Sequence, residues 1–217
     1  WMAAENCEIE RTDTIAIWGC GPVGLLTIRS AFLLGAKRVI AVDTVPERLQ
    51  KAREIGAETI DYAQGRVQEE ILEKTSGQGP DATIEAVGME SHGAESLVSR
   101  VVSAVQSTVT AIERPYALDQ AILACRPGGI VSVPGVYVGP AVPIAMGAFM
   151  NKGLTMKTGQ THMLRYMEPL LKRIAAGEID PGFVITHKAS LQDGPELYKT
   201  FRDKQDGCVK VVMRPHG

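Results

Sequence analysis

The sequence predicts a doubly wound α/β fold, in which helices cover both faces of a six-stranded parallel sheet. Short β-rich runs alternate with helix-like segments between residues 1 and 160, and strands separated by helices pair in parallel through right-handed crossovers. A glycine-rich turn joins the first strand to the first helix, and an acidic residue ends the second strand. Both features are typical of the sheet edge at which such folds bind ligands.

The individual elements follow from hydrophobic periodicity and from the residues that begin and end helices. The predicted strands of the sheet are Thr14–Trp18, Arg38–Val42, Thr59–Tyr62, Ala82–Val87, Ile130–Val133 and Leu154–Thr158. The predicted helices between them are Pro22–Leu34, Pro46–Ile55, Val67–Thr75 and Tyr116–Cys125. Residues 96–113 mix helical spacing with β-branched residues, so their structure is left open.

The alternation of strand and helix changes after residue 160, and we expect a separate α+β segment there. Its predicted elements are a helix at Tyr166–Ala176, a strand at Phe183–Thr186, a helix at Pro195–Asp203 and a strand at Cys208–Met213. We therefore divide the chain into a sheet domain at 1–160 and a C-terminal segment at 161–217.

Composition excludes several classes of partner. The net charge of -2 and the absence of any Lys/Arg block argue against nucleic acid. No apolar run approaches the ~20 residues of a membrane span. The four cysteines lie far apart, which fits neither a zinc knuckle nor a disulfide framework. We therefore expect a soluble, cytoplasmic protein with reduced thiols.

The glycine-rich turn Gly19-Cys-Gly-Pro-Val-Gly24 is the main chemical signal. Such a pattern recurs by chance, but here a strand precedes it, a helix that begins with Pro22 and Val23 follows it, and Asp43 ends the next strand. Gly19 permits the tight turn, Gly21 lets the backbone approach a pyrophosphate, and Gly24 lets helix and strand pack closely. The helix N-terminus offers unpaired N–H groups to that anion. The turn therefore predicts a dinucleotide site.

Asp43 predicts which dinucleotide is bound. Its carboxylate can accept hydrogen bonds from the free hydroxyls of an adenosine ribose, whereas a 2′-phosphate would meet like charge. Two unit charges 4 Å apart repel by roughly 1 to 4 kcal/mol, so we expect NAD rather than NADP. Arg48 lies one helical turn into the next helix, either beside the ribose or on a solvated face.

Several segments together resemble the cofactor-binding portion of medium-chain, zinc-type alcohol dehydrogenases, and the resemblance covers essentially the whole chain. They are Thr14–Gly24, Pro46–Leu49, Gly56–Glu58 and the tail Phe201–Val212. Three further segments, Cys125–Gly129, Pro134–Tyr137 and Thr158–His162, are most similar to the glutathione-independent formaldehyde dehydrogenase and dismutase branch. The extra region at 103–117 also fits that branch.

The resemblance implies further cofactor-binding residues. Val87 and Gly88 would line the middle of the cofactor, and Val133, Pro134 and Gly135 would approach the nicotinamide. Lys210 would be the basic residue that reaches the pyrophosphate. The alternatives stay open: the two valines also suit a sheet core, and Lys210 also suits a solvent-facing strand.

The family's zinc ligands have no counterpart in this sequence. The resemblance implies an N-terminal domain that holds the catalytic zinc, but there is no Gly-His-Glu segment here and no cysteine cluster. The histidines are scattered and cannot supply three converging ligands; they are His92, His162, His187 and His216. We therefore assign no metal or catalytic residue, and we expect a fragment that is inactive alone, whose C-terminal segment returns toward the absent domain.

Three functions remain open from the sequence. The chain is the NAD-binding domain of a zinc-dependent alcohol or aldehyde dehydrogenase of the formaldehyde type, the cofactor domain of a zinc-free medium-chain reductase, or a nucleotide-binding module without hydride chemistry. The substrate, a small alcohol or aldehyde, would be contacted mainly by the missing domain. The resemblance also implies a homo-oligomer, for which the apolar stretch Val136–Met150 is a candidate surface.

Overall fold

The protein is built around one six-stranded parallel sheet. The computed structural model describes residues 1–88, 116–137 and 143–215. The strand order is β3-β2-β1-β4-β5-β6, and all neighbouring strands are parallel. The order reverses between β1 and β4, which creates the crevice where open α/β sheets bind ligands. The predicted six-stranded, doubly wound fold is confirmed.

The strands of the sheet are β1 (Thr14–Trp18), β2 (Arg38–Asp43), β3 (Glu58–Asp61), β4 (Ala82–Glu85), β5 (Ile130–Val133) and β6 (Thr155–Thr158). The described helices of this part are α1 (Met2–Glu5), α2 (Pro22–Leu34), α3 (Pro46–Glu54), α4 (Val67–Lys74), α5 (Tyr116–Ala124) and α6 (Met146–Asn151). The described C-terminal segment contains α7 (Met163–Ala175), β7 (His187–Ser190), α8 (Gly194–Arg202) and β8 (Val211–Arg214).

Two hydrophobic cores lie on opposite faces of the sheet. Alternate residues of β1 point to opposite sides, so Ile15 and Ile17 join one core while Ala16 and Trp18 join the other. The first core includes residues of α1 and α2, and the second includes residues of α4 and α5. Val184 and Val209 of the C-terminal segment also pack into the first core. The central strands are therefore covered on both faces.

The strand predicted at Phe183–Thr186 is wrong. Residues Pro181–Val184 form a 3-10 turn, and the strand lies later, at His187–Ser190, where it pairs in parallel with β8. The Asp180 side chain accepts a hydrogen bond from the backbone N–H of Gly182 and starts the turn. The apolar run is buried by packing against the first core, and burial of a short apolar run does not by itself distinguish a turn from a strand.

Other expectations differ in detail or are not tested. The helix α6 was not predicted, although it lies within the apolar stretch Val136–Met150. The open segment 96–113 lies outside the described residues. The division at residue 160 stays a prediction. Within the parts of the chain that the structure describes, no helix is both long and apolar enough to cross a membrane.

Candidate dinucleotide-binding site

A cavity of about 340 Å³ lies at the carboxyl ends of β1, β2 and β4. Its position is the crevice where the strand order reverses, as expected for a ligand site of this fold. Seven predicted cofactor-binding residues line it: Gly19, Gly21, Pro22, Val23, Asp43, Arg48 and Val87. The structure thus brings together residues that are separated in the sequence by up to six helices and strands.

Two glycines of the turn are required by the protein's own packing. Gly19 has a φ of 92°, and a Cβ atom there would lie 3.0 Å from Cγ2 of Val87. A Cβ atom at Gly24 would overlap the carbonyl oxygen of Gly19. Helix α2 can therefore approach the end of β1 only because position 24 has no side chain.

Gly21 differs from its two neighbours because the protein itself leaves room for a side chain there. Its φ is -68°, which any residue can adopt, and a Cβ atom would meet only the guanidinium of Arg48, at 3.8 Å. The open space lies above the N-terminus of α2, where no side chain caps the helix. The unpaired N–H groups and partial positive charge of a helix start favour an anion. The space therefore fits a pyrophosphate.

The carboxylate of Asp43 ties the second strand to the turn. Its Oδ2 atom accepts a hydrogen bond of 2.6 Å from the backbone N–H of Cys20, and Oδ1 accepts from Thr44 at 2.7 Å and Val45 at 2.9 Å. A carboxylate can accept about four hydrogen bonds, so one position remains for a ligand hydroxyl. Asp43 is thus fixed in place by three backbone donors while it lines the cavity.

Arg48 extends from the first turn of α3 over the glycine-rich turn. It is half-buried, and its Nε atom is buried without a hydrogen bond partner. A buried charged donor without a partner is costly in a folded protein. An anionic or hydroxyl-bearing ligand in the cavity would supply the missing acceptor. The structure therefore places Arg48 at the cavity rather than on a solvated face.

The remaining predicted residues do not line this cavity. Gly88 and Val133 are buried, and Pro134 and Gly135 lie half-buried just after β5. The side chain of Lys210 is exposed, while its carbonyl oxygen accepts hydrogen bonds from the backbone N–H groups of Thr186 and His187. Their role in cofactor binding stays a prediction.

Several residues that line the cavity were not predicted from the sequence. The notable ones are Trp18, Tyr62, Tyr116, Phe201 and Lys204. Trp18 and Tyr62 follow from topology, since they lie at the carboxyl ends of β1 and β3, on the edge already known to hold the site. Phe201 and Lys204 come from the end of α8, and only the folded chain shows that this segment reaches the cavity.

The described residues contain no group of three or more His, Cys, Asp or Glu side chains that could hold a metal ion. The four cysteines are free and buried. Burial raises the pKa of each of their thiols, including Cys20 within the turn. A raised pKa keeps a thiol protonated at neutral pH, so none of the four cysteines is an activated nucleophile.

Comparison with known proteins adds an independent line of support. A sequence profile described as zinc-binding dehydrogenase matches residues 22–99. An uncharacterised zinc-type alcohol dehydrogenase-like protein of Bacillus subtilis is 32% identical, over 99% of this chain and 56% of that protein. The glutathione-independent formaldehyde dehydrogenase of Bacillus subtilis is 31% identical, over 99% of this chain and 52% of that enzyme.

The fold gives the same result. The solved alcohol dehydrogenase of Thermus sp. ATN1 matches with a TM-score of 0.77 at 30% identity, over 97% of this chain and 55% of that chain. The chain spans about half the length of the curated relatives it matches. The sequence match, the shared sheet and the cavity built on the glycine-rich turn agree: this chain belongs to the medium-chain, zinc-type alcohol dehydrogenase family.

Proposed function

We propose that this chain binds NAD(H) in the cavity at the carboxyl end of its sheet and orients the nicotinamide for hydride transfer in an alcohol or aldehyde dehydrogenase. The observation that supports this most directly is the open space at Gly21. The protein's own packing would accept a side chain at that position, so the glycine leaves room for a ligand. That space adjoins an uncapped helix start and a fixed carboxylate, the two groups that a dinucleotide needs.

The residues divide the work of binding. The start of α2 holds the pyrophosphate, Asp43 accepts a hydrogen bond from the adenosine ribose, and Arg48 pairs its buried Nε with an acceptor on the ligand. We assign Val87, which lines the cavity, to the middle of the cofactor, and Val133, Pro134 and Gly135, which follow β5 beyond the cavity lining, to the nicotinamide. When bound, the nicotinamide ring accepts or gives up a hydride. The chain's own contribution is to hold that ring in one orientation, which lowers the entropic cost of reaction.

The choice of NAD over NADP rests on charge. The carboxylate of Asp43 is fixed by the backbone donors of Cys20, Thr44 and Val45, so it cannot swing away from a 2′-phosphate. Repulsion of roughly 1 to 4 kcal/mol would disfavour NADP. Arg48 and Lys204 also line the cavity and offset part of this repulsion, so we propose a preference rather than strict exclusion.

The whole enzyme's substrate is part of the same proposal. We propose a small alcohol or aldehyde, with formaldehyde favoured because a formaldehyde dehydrogenase of Bacillus subtilis is 31% identical to this chain. We also propose that residues outside this chain would hold the family's zinc, which would supply Lewis-acid chemistry at the substrate oxygen. The present chain then supplies cofactor binding and is inactive by itself.

We also propose a cytoplasmic location. The four buried thiols are unpaired, and unpaired thiols persist in a reducing compartment.

We further propose a homo-oligomer. The supporting observations are that β6 is an edge strand of the sheet and that the nearby side chains of Val136, Met146 and Met150 are exposed. Size-exclusion chromatography with light scattering would report a mass above 23.3 kDa for the oligomer, and the monomer mass would contradict it.

Titration with NADH tests the central proposal. Trp18 lines the cavity, so bound NADH should quench tryptophan emission and take up its excitation energy. A Trp1→Phe variant, which keeps Trp18, should retain this signal, and ADP-ribose should compete for the site. Absence of any signal or competition would contradict the proposal. Adenosine nucleotides that bind as tightly as NADH would instead indicate a module without hydride chemistry.

An activity assay tests the proposal that this chain binds the cofactor but is inactive by itself. The chain should oxidise neither formaldehyde nor ethanol with NAD at ordinary rates. Turnover by this chain alone would contradict the proposal that the zinc and the substrate are held elsewhere.

A further inference from the structure

Glu85 is a buried carboxylate with no place in the site described above. It ends β4, next to β1 at the point where the strand order reverses, and its side chain has no solvent exposure. Burying an ionised carboxylate is costly unless donors surround it. The positions of those donors therefore show what Glu85 organises.

The first carboxylate oxygen of Glu85 holds the loop after its own strand. Oε1 accepts hydrogen bonds of 2.7 Å from the backbone N–H groups of both Val87 and Gly88. Gly88 has a φ of 70°, and a Cβ atom there would lie 2.7 Å from the backbone nitrogen and oxygen of Val136. The described residues directly after β4, 86–88, are therefore closely packed against Gly135 and Val136, directly after β5.

The second carboxylate oxygen faces the loop after β5. A Cβ atom at Gly135 would overlap Oε2, and the N–H of Gly135 donates to the backbone oxygen of Glu85 at 3.1 Å. Oε2 and the hydroxyl of Tyr137 are both buried without a hydrogen bond partner, and the charge of the carboxylate acts on that hydroxyl. Burial raises the pKa of Glu85, and the backbone N–H groups of Gly88 and Val87 oppose that rise, as does the nearby Tyr137.

The loop that Glu85 holds forms part of the cavity wall. Ala86 and Val87 line the cavity, and the N–H of Ala86 donates to the carbonyl of Trp18 at 2.9 Å. Cγ2 of Val87 fills the space beside Gly19. Any change in the loop therefore reaches the glycine-rich turn directly.

We propose that Glu85 is a positioning residue for the dinucleotide: its carboxylate fixes residues 86–88 after β4 against residues 135–137 after β5, so that the cofactor meets a preformed wall. This role rests on the proposed function, because it assigns Glu85 to the same cavity. Glu85 does not touch the cavity itself and acts through Val87, Gly88 and Gly135. Preformed loops spare the ligand the cost of ordering them.

The test compares Glu85→Gln with Thr83→Val in the full chain. Thr83 is a fully buried residue of the same strand, two positions before Glu85 and on the same face. Glutamine replaces one carboxyl oxygen with an amide donor, which disturbs the contacts to Val87, Gly88 and Gly135, so the Kd for NADH should rise about tenfold. The Thr83 variant should bind NADH within about twofold of wild type, since a twofold change is under 0.5 kcal/mol.

The stability of each variant and its affinity for NADH must be measured separately. Denaturant unfolding measures the structural effect, and NADH titration of the folded variants measures the positioning effect. A folded Glu85→Gln protein with an unchanged Kd would overturn the proposal. If that variant does not fold, Tyr137→Phe replaces it with an expected weakening of about threefold, and an unchanged Kd overturns the proposal equally. Wild-type protein that binds no NADH would instead overturn the proposed function, and the role of Glu85 would fall with it.

Discussion

Two helices of equal length show how differently the two parts of this molecule are held. Helices α2 and α7 each have 13 residues. Six residues of α2 are buried, and the helix packs against β1, β2 and α1. In α7 only Tyr166 is buried, and Leu164 is 91% exposed. The helix next to the cavity is fixed by packing, whereas α7 shows an apolar face to solvent.

An amphipathic pattern predicts a helix, but it does not predict which other elements pack against the apolar face of that helix. The helix predicted at Tyr166–Ala176 is found at Met163–Ala175, and its side chains Leu164, Met167 and Leu171 are exposed. Most helical stability in proteins comes from tertiary packing of such an apolar face. The described residues leave it uncovered, so the cofactor-facing half should be the more sensitive to substitution. The following changes test that difference.

The largest effect is expected for Gly24→Ala. The added methyl group overlaps the carbonyl oxygen of Gly19, so α2 must move away from β1. We expect a loss of about 3 kcal/mol in the free energy of unfolding, measured by urea denaturation. Gly147→Ala in α6 is the control, because nothing lies within 4 Å of its Cβ position. Equal effects at both positions would break the comparison.

The second prediction compares leucines of the two helices. Leu25 of α2 is fully buried, and Leu164 of α7 is 91% exposed. Leu25→Ala should lower stability by about 3 kcal/mol because it leaves a cavity, whereas Leu164→Ala should change it by less than about 0.5 kcal/mol. Thermal unfolding of both variants checks this. A comparable loss from Leu164→Ala would mean that α7 is packed in solution.

The third prediction concerns Asp43→Asn. The variant should bind NADH more weakly, since one acceptor for the ribose becomes a donor, and its preference for NADH over NADPH should shrink. Removal of a repulsion worth roughly 1 to 4 kcal/mol sets the size of that change. Competition titrations with both cofactors measure the ratio.

Asp61→Asn is the matched control for Asp43→Asn. Asp61 is paired in register with Asp43 on the neighbouring strand β3, but it caps a turn by accepting from Ala63. We expect its variant to keep the wild-type preference. A preference that is the same in wild type and Asp43→Asn would contradict the assignment of NAD.

The smallest effect is expected for ion pairs in the two regions. Burial raises the pKa of Glu58, but the hydrogen bonds and charges of Arg38 and Lys74 outweigh it and hold the pKa below its usual range. A lowered pKa in the folded state stabilises the protein above the unfolded value and is lost as the pH falls. Because Glu58 is 37% exposed, Glu58→Gln should cost less than about 1 kcal/mol at neutral pH.

Glu168→Gln in α7 is the control for Glu58→Gln. Glu168 pairs with Lys172, and both side chains are more than 70% exposed, so we expect no measurable change in stability. Unfolding measured between neutral pH and about pH 3 should show that the difference in unfolding free energy between Glu58→Gln and wild type disappears as the pH falls. A difference that grows on acidification would contradict this.

Local features made the cofactor-facing edge predictable. Helix α2 begins at Pro22 and ends before Gly35 with a φ of 113°, and both ends are visible in the sequence. The turn, β1 and Asp43 lie within 30 residues of one another, so their spacing alone placed them on one edge. Short-range patterns were sufficient to predict these elements because the residues that begin and end them are close together in the sequence.

Long-range contacts account for what the sequence did not reveal. Lys204 reaches the cavity only because α8 returns to the sheet after many residues. Glu85 was read as part of a strand, and its partners Gly135 and Tyr137 come from another loop. The apolar run at Phe183–Thr186 predicts a strand, but its residues are apolar because Phe183 and Val184 pack against the first core from a turn. No local pattern encodes such pairings.

The most direct test of the central claim is the affinity for NADH of wild type and Gly21→Ala, measured by energy transfer from Trp18. The protein accommodates a side chain at position 21, with its nearest contact at 3.8 Å, so the variant should unfold at the wild-type denaturant concentration. The methyl group would occupy the space assigned to the pyrophosphate, so NADH binding should weaken at least about tenfold. A stable Gly21→Ala protein that binds NADH as tightly as wild type would contradict the assignment of this cavity to the dinucleotide.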